Sequence, residues 1–237
     1  MELERLLRSQ GFGSRPDCRE LVRNGRVAIN SEICDDPYAE FNPENLEFAV
    51  DGVRWRYTEK VYLVMNKPGG YEVSHQPHHH PSVFELLPKP LLTRGVQAVG
   101  RLDEDTTGLL LFTDDGQFIH RYTSPKKLIP KVYRVTTKHA IDEVQIADLL
   151  AGVVLNDEPK PIAAVAAEIV SDCVLKLTVT EGKYHLVKRM IAAVSNRVEA
   201  LHREAIGGLS LPADIAVGQW RFLSAAEIRA LTQTHCA

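Results

Sequence analysis

The sequence lacks the features that mark membrane, secreted and disulfide-rich proteins. No apolar run reaches the length of about 20 residues that a membrane-spanning helix needs. The charged N-terminus "MELERLLRSQG" contains no apolar core of the kind found in secretion signals. Cysteine is sparse, and Cys18, Cys34, Cys173 and Cys236 form no CxxC pair. These absences predict a cytoplasmic protein with reduced thiols and no membrane contact.

The sequence also lacks the overall positive charge that nucleic-acid-binding proteins often carry, since its net charge is −3. The basic residues are concentrated instead, and no acidic residue occurs between Gly116 and Ile141. Aromatic residues are interspersed among the basic residues of this segment: Phe118, Arg121, Tyr122, Lys126, Lys127, Lys131, Tyr133, Arg134 and Lys138. Such a surface suits an unpaired nucleotide, and a solvated lysine-rich surface is the alternative that charge alone leaves open.

The first thirty residues predict helix, turn, helix and strand. Leu3, Leu6 and Leu7 recur at helical spacing, and Ser14 and Asp17 predict a capping box at the start of the second helix. The string "RNGRVAINSEIC" resembles the S4 RNA-binding domain. The resemblance implies an RNA-holding domain over residues 1–58, with these arginines as its RNA-binding residues: Arg5, Arg8, Arg15, Arg19 and Arg23.

The remainder, residues 59–237, predicts a second domain of short strands and few helices. The spacing is too irregular for repeated βαβ units, so we expect an α+β fold with a mixed, mostly antiparallel sheet. Strands are predicted at 61–66, 108–113, 131–137, 174–180 and 197–202, and helices at 141–151 and 184–194.

Two groups of side chains raise the possibility of a metal site. The first is the histidine group His75, His78, His79 and His80, whose spacing between prolines matches no structural zinc site, so a flexible loop is the better interpretation. The second is formed by Asp103, Asp105, Asp114 and Asp115. Because Asp114-Asp115-Gly116 follows a strand-like apolar run, it favours a turn over a cation site. No metal is therefore predicted.

The stretch "GRLDEDTTGLLLFTDDG" at 100–116 resembles a signature of the pseudouridine synthases that act on ribosomal RNA. Three further strings agree with this family in order: "NKPGG" at 66–70, "KVYRV" at 131–135 and "EGKYHLVKRM" at 181–190. The strings "TDDGQFIHRYTSP" and "LHREAIGGLSL" are more similar to the members that act on the small subunit than to those that act on the large subunit.

The resemblance implies three catalytic residues. Asp103 is the carboxylate that attacks C1′ of the ribose or assists through a glycal route, and the sequence leaves both routes open. A cation must lie near this carboxylate, because desolvation disfavours a charged group, and the family pattern assigns this part to Lys188. Tyr133 offers an aromatic face to the base and a hydroxyl that helps to remove a proton.

The same resemblance implies that the target base leaves its stack and that Arg101 fills the gap. Lys67, Lys131 and Arg189 complete the predicted RNA-binding set, with Asn66 and Lys67 also expected to buttress the pocket. Asp105, Thr106 and Thr107 are expected to shape the loop.

Together these patterns predict an isomerase, without cofactor, that makes one pseudouridine in 16S rRNA. Breaking a glycosidic bond and rejoining the same base through carbon requires no redox agent or energy donor. The expected partner is 16S rRNA or an assembling small ribosomal subunit, and the expected state is a monomer. Two alternatives are the same reaction on 23S rRNA and a non-catalytic RNA-binding protein of ribosome assembly. The presence of Asp103, Tyr133 and Lys188 argues against the second.

Overall fold

The computed structural model describes residues 1–232, so Cys236 lies outside the described part. The chain forms two compact units, one made of residues 1–61 and 87–97 and the other of residues 62–86 and those from 98 onward. Within residues 1–232, no helix combines the length and apolar character needed to cross a bilayer.

The first unit begins with two short helices, α1 (Leu3–Ser9) and α2 (Arg15–Arg23). The predicted capping box at the start of α2 is confirmed, because the hydroxyl of Ser14 accepts from the backbone N–H of Asp17 and the carboxylate of Asp17 accepts from the backbone N–H of Ser14. Gly25, at φ +66°, follows α2 in the left-handed conformation that ends many helices.

A four-stranded antiparallel sheet completes this unit, in the order β2-β1-β3-β4. The strands are β1 (Val27–Ile29), β2 (Glu32–Ile33), β3 (Glu47–Val50) and β4 (Val53–Arg56). The leucines predicted to face the core, Leu3, Leu6 and Leu7, are fully buried in one cluster with Phe48.

The segment Leu87–Gln97, which contains α3 (Lys89–Thr93), belongs to this first unit. Its backbone approaches Gly11 so closely that a Cβ there would lie 2.0 Å from the carbonyl oxygen of Pro90. The guanidinium of Arg94 donates to the side chain of Gln10 at 2.9 Å and to the carbonyl oxygen of Thr58 at 3.0 Å. A cut after residue 58 would therefore separate this segment from the residues it packs against, and the domain boundary at 58 stays a prediction.

The rest of the described chain contains nine further strands and four further helices, all in the second unit except for Gln97, the first residue of β6. The strands are β5 (Tyr62–Lys67), β6 (Gln97–Ala98), β7 (Thr107–Thr113), β8 (Lys131–Thr137), β9 (Ala166–Ser171), β10 (Val174–Val179), β11 (Val198–Ile206), β12 (Leu209–Ser210) and β13 (Trp220–Phe222). The helices are α4 (Gly116–Thr123), α5 (Glu143–Ala151), α6 (Leu186–Ala193) and α7 (Ala225–Ala230), with 3-10 turns at Val83–Leu86 and Pro125–Lys127.

The main sheet of this unit has the order β13-β5-β7-β11-β8-β10-β9. Only β7 and β11 pair in parallel among these neighbours, so the predicted α+β class with a mixed, mostly antiparallel sheet is confirmed. The predicted strands and helices each correspond to an observed element, with ends that differ by a few residues at most. The turn predicted at 114–116 is also observed, where Asp115 caps α4 by accepting from the backbone N–H of Gln117.

Gly108 allows β7 and β11 to lie side by side. It has φ +100°, and a Cβ at this position would lie 2.4 Å from the carbonyl oxygen of Arg203. Because a side chain cannot occupy that space, glycine is required for the parallel pair. The same pair places the end of the loop that precedes β7 beside β11, and Asp103 lies in this loop.

Candidate active site

The backbone of the loop that carries Asp103 is held in place by Lys67, the last residue of β5. Lys67 is fully buried, and its ammonium group donates to carbonyl oxygens of the loop at 2.9–3.2 Å. These acceptors belong to Pro68, Asp103, Glu104 and Thr106. Burial lowers the pKa of Lys67 to about 8, although the nearby acidic residues act in the opposite direction. The prediction that Lys67 binds RNA conflicts with this burial, because its charged group is enclosed by protein.

The carboxylate of Asp103 faces two side chains of the α6 region. Lys188 Nζ lies 3.3 Å from Asp103 Oδ2, and His185 Nε2 lies 3.4 Å from Asp103 Oδ1. The Asp103 side chain is 27% exposed, so a ligand can reach it. Lys188 also donates to both oxygens of Asp105, at 2.7 and 2.8 Å. The predicted cation is thus beside the predicted carboxylate, and it is shared with a second carboxylate.

The charge of Lys188 is stabilised by this arrangement. Burial acts to lower the pKa of Lys188, but the hydrogen bond to Asp105 and the charges of Asp103 and Asp105 outweigh burial and raise the pKa above its ordinary value. Burial likewise acts to raise the pKa of Asp105, but the hydrogen bond from Lys188 outweighs it and lowers the pKa. Lys188 therefore stays cationic and Asp105 anionic throughout the neutral pH range.

A pocket of about 130 Å³ lies next to Asp103. Tyr133 of β8 lines this pocket, together with Leu186 and Val187 at the start of α6. All three side chains are almost completely buried. Arg101, which is exposed, stands at its rim and also lines an adjoining cleft of about 730 Å³. The predicted catalytic residues Asp103, Tyr133 and Lys188 thus surround one pocket, although they are separated by up to 85 residues in sequence.

The histidine-bearing loop forms part of the adjoining cleft. The carboxylate of Glu72 accepts from the backbone N–H groups of His78, His79 and His80 at 2.8–3.0 Å, and these bonds lower the pKa of Glu72 to about 2. His75 stacks on Phe84 with ring centroids 3.7 Å apart. The loop expected to be flexible thus makes specific contacts with Glu72 and Phe84, and its flexibility stays a prediction. Residues 1–232 contain no group of three or more side chains suited to a metal ion.

The other predicted RNA-binding residues differ in how available they are. Lys131 lines the pocket and is half-buried. Arg5, Arg8, Arg15 and Arg23 are exposed on the first unit. Arg19 is engaged within that unit, because its Nε lies 2.5 Å from Glu4 and its guanidinium lies over the ring of Tyr38.

Arg189 is also engaged within the protein. It donates to the carbonyl oxygens of Tyr184 and Asn156, and its Nη1 lies 3.5 Å from Glu158. The aromatic residues Phe118 and Tyr122, which suggested faces for unpaired bases, are buried in the core of the second unit. The basic segment 116–141 therefore presents mainly charge at its surface, and its aromatic residues Tyr122 and Tyr133 line the pocket.

Sequence analysis did not identify His185 as a functional residue. It lies three residues before Lys188, a spacing that places two side chains on the same face of a helix, and this spacing could have revealed it. His185 adopts a left-handed conformation at φ 49°, directly before α6. Asp105 was assigned only to loop shape, because the sequence does not show that Lys188 reaches both carboxylates.

Comparison with known proteins gives consistent matches along the chain. Residues 61–193 match the RNA pseudouridylate synthase family and residues 1–45 match the S4 domain. The ribosomal small subunit pseudouridine synthase A of Escherichia coli K12 is 38% identical over 230 residues, which cover 96% of this chain and 98% of that protein. An uncharacterized RNA pseudouridine synthase of Bacillus subtilis is 38% identical over 98% of this chain and 99% of its own. A crystal structure of a pseudouridylate synthase aligns with a TM-score of 0.69 and 35% identity, over 98% of this chain and 99% of that one.

Proposed function

Because this chain belongs to the RNA pseudouridylate synthase family, we propose that it converts one uridine of 16S rRNA to pseudouridine. The observation that supports the chemistry best is the accessible carboxylate of Asp103, held beside Lys188 at the mouth of a pocket large enough for a base. The choice of 16S over 23S rRNA follows the names of the relatives that act on the small subunit.

In the proposed reaction the bond between C1′ and N1 breaks and its electron pair stays on the base. Asp103 either forms a bond from its oxygen to C1′ or assists a glycal route, and both remain open. The base then turns so that C5 faces C1′. In the first route the C1′–C5 bond forms as the bond from Asp103 to C1′ breaks, and in the glycal route it forms as C2′ regains the proton that it lost to the carboxylate. The proton on C5 is lost and N1 gains a proton, so the product is an isomer and no co-reactant is consumed.

The surrounding residues have separate parts in this proposal. The target nucleotide leaves its stack to enter the pocket, and the exposed Arg101 occupies the vacated space or contacts phosphate. Tyr133 provides a face against which the base packs, and its hydroxyl assists proton removal from C5. Lys188 offsets the charge of Asp103 in a pocket from which the base has displaced water.

The first unit is proposed to hold the rRNA through phosphate contacts. Residues 1–45 match the S4 domain, and four of its five predicted arginines are exposed. Phosphate contacts supply affinity and orientation without reading sequence. We further propose that the protein acts in the cytoplasm as a monomer, on 16S rRNA or an assembling small subunit.

The decisive experiment is the substitution Asp103→Asn. We expect no detectable isomerisation and nearly unchanged folding and RNA binding, because the amide keeps the shape of the side chain but removes its charge and nucleophilicity. The assay is tritium release from rRNA carrying uridine labelled at C5, beside an RNA-binding titration. The matched control is Asp172→Asn, which changes an exposed aspartate away from the pocket and should retain full activity.

Substantial tritium release by the Asp103→Asn protein would contradict the assignment of this residue. The substrate is identified by mapping pseudouridines in both large rRNAs from cells that lack the protein. Loss of a 23S rather than a 16S pseudouridine would leave the chemistry intact and would overturn the proposed substrate.

A further inference from the structure

Arg203 is a buried cation that the catalytic scheme above does not use. It lies on β11, lines the pocket and is only 2% exposed. Its Nε donates to the carbonyl oxygen of Leu109 at 2.8 Å, whereas its Nη2 is buried without a hydrogen-bond partner. No carboxylate of residues 1–232 forms an ion pair with it. A buried guanidinium in this state is costly, and an acceptor or negative charge supplied by a ligand would offset the cost.

Lys131 is a second cation of the same pocket, and it too lies on the sheet. In the pairing of β8 with β11, Tyr133 lies opposite Arg203, and Lys131 is two residues before Tyr133. The Nζ of Lys131 donates to the carbonyl oxygens of Ile129 at 3.1 Å and of Thr180 at 3.2 Å. An ammonium group has three N–H donors, so one remains for a ligand in the pocket. Burial, and then the charge of Arg203, lowers the pKa of Lys131 to about 8.

The remaining charges around the pocket are largely matched with one another. Asp103 has Lys188 and His185, and Lys183 lies 2.8 Å from Glu181 and 2.6 Å from Glu158. Arg101 stands at the exposed rim. Lys131 and Arg203 therefore give the wall of the pocket formed by β8 and β11 a positive charge that no carboxylate of residues 1–232 neutralises by an ion pair, and Tyr133 also lies on β8.

The reaction places negative charge on the base. When the C1′–N1 bond breaks, the electron pair spreads from N1 onto the O2 and O4 carbonyl oxygens of uracil. The anion keeps this charge until C5 attacks C1′. A dry wall that carries fixed positive charge stabilises such an anion more than the neutral base, which is the condition for accelerating the chemical step.

We propose that Lys131, backed by the permanent charge of Arg203, binds a carbonyl oxygen of the flipped uracil and stabilises the uracil anion that forms when the glycosidic bond breaks. This inference depends on the proposed function. In this proposal Lys131 is a catalytic residue and no longer only an RNA-binding residue. Arg203 is a positioning residue, whose charge acts on Lys131 and on the base.

The test compares Lys131→Met, Lys131→Arg and wild type in single-turnover isomerisation at saturating rRNA. We expect Lys131→Met to slow the chemical step about 10²-fold, as for loss of one anion-stabilising donor, with RNA affinity within about 3-fold of wild type. Lys131→Arg restores most of the rate. The control Lys160→Met removes an exposed charge outside the pocket and leaves the rate unchanged. Urea unfolding of each variant verifies that it is folded.

Two further readouts separate this role from a structural one. The wild-type rate should fall as the pH rises above about 8, because Lys131 then loses its proton, whereas Lys131→Arg should keep its rate. Any decrease in rate that is caused by deprotonation of the uridine itself should be the same for wild type and Lys131→Arg. In a further test the target uridine is replaced by 4-thiouridine or by 2-thiouridine, in which sulfur, a poorer hydrogen-bond acceptor, replaces O4 or O2. The replacement at the oxygen that Lys131 binds should slow the isomerisation by wild type, and it should not slow Lys131→Met further.

Either of two results would overturn the inference. A Lys131→Met protein that is folded and reacts within 3-fold of wild type excludes it. A variant that loses only RNA affinity, with a shallower salt dependence, shows instead that Lys131 contacts phosphate. Both outcomes leave wild-type isomerisation intact, whereas a wild-type protein that isomerises neither rRNA contradicts the proposed function itself.

Discussion

Replacing Lys188 by methionine isolates the electrostatic support of Asp103. Methionine keeps much of the length and apolar stem of lysine but removes the ammonium group. The ammonium lies 3.3 Å from Asp103 and 2.7 Å from Asp105, so its loss leaves two adjacent carboxylates without their shared cation. Asp103 then lacks the attraction that holds its carboxylate in position, and Asp105 loses the hydrogen bond that lowers its pKa.

The size of the effect follows from the distance between Lys188 and Asp103. At 3.3 Å, the attraction between unit charges is about 5 kcal/mol at an effective dielectric constant of 20 and about 1.3 kcal/mol in bulk water. Both side chains are about one-quarter exposed, so the loss falls between these limits. Since about 1.4 kcal/mol corresponds to a tenfold change in rate, we expect a decrease of about 10²–10³-fold near neutral pH.

The pH dependence gives the sharper measurement. The hydrogen bond from Lys188 lowers the pKa of Asp105, so without it Asp105 should take up a proton at higher pH and the acid limb of the rate profile should move upward. Single-turnover rates between pH 5 and 9 measure this shift. Lys188→Arg should retain the wild-type acid limb, and Lys160→Met, which removes an exposed charge outside the pocket, should match wild type. A Lys188→Met rate that decreases equally at every pH would refute the electrostatic argument.

Two further changes test the fold and the RNA-holding unit. Gly108→Ala should destabilise the protein by about 2 kcal/mol or more, because the new Cβ would lie 2.4 Å from the carbonyl oxygen of Arg203 at a positive φ; an unchanged urea midpoint would contradict this. Replacing Arg5, Arg8, Arg15 and Arg23 together by glutamine should weaken rRNA binding and reduce the salt slope by up to about 3, since each phosphate contact contributes about 0.7–0.9. The chemical step at saturating RNA should change little, and an unaltered salt slope would exclude these arginines as phosphate contacts.

The elements that sequence predicted correctly are those with strong local signals. The strand 131–137 was predicted with its observed ends, because its apolar residues alternate and Pro130 precedes it. The capping box of Ser14 and Asp17 was predicted because its pattern is complete within four residues. The family was predicted from ordered motifs, and the matches over residues 1–45 and 61–193 confirm it.

The features that sequence did not reveal depend on contacts between distant residues. Lys67 in a sequence pattern is a surface cation by default, and only the fold shows that four carbonyl oxygens enclose its ammonium group. Nothing in the sequence marks Arg203 as different from a surface arginine, although it is one of the most completely buried side chains. The segment Leu87–Gln97 carries no sequence signal that it joins the first unit, because its packing against Gly11 follows from backbone geometry.

The way in which Lys188 divides its contacts suits the nucleophilic role proposed for Asp103. A carboxylate whose oxygens are both bound tightly by a cation is a weak nucleophile, because its lone pairs are engaged. Here Lys188 lies closer to Asp105, at 2.7 and 2.8 Å, than to Asp103, at 3.3 Å. Asp105 therefore anchors the ammonium group, and Asp103 receives its field without a short hydrogen bond. Lys67 holds the backbone of Asp103, because the ammonium group of Lys67 donates to the carbonyl oxygen of Asp103. One lysine thus holds the loop and the other supplies the charge, so the carboxylate is positioned before substrate arrives.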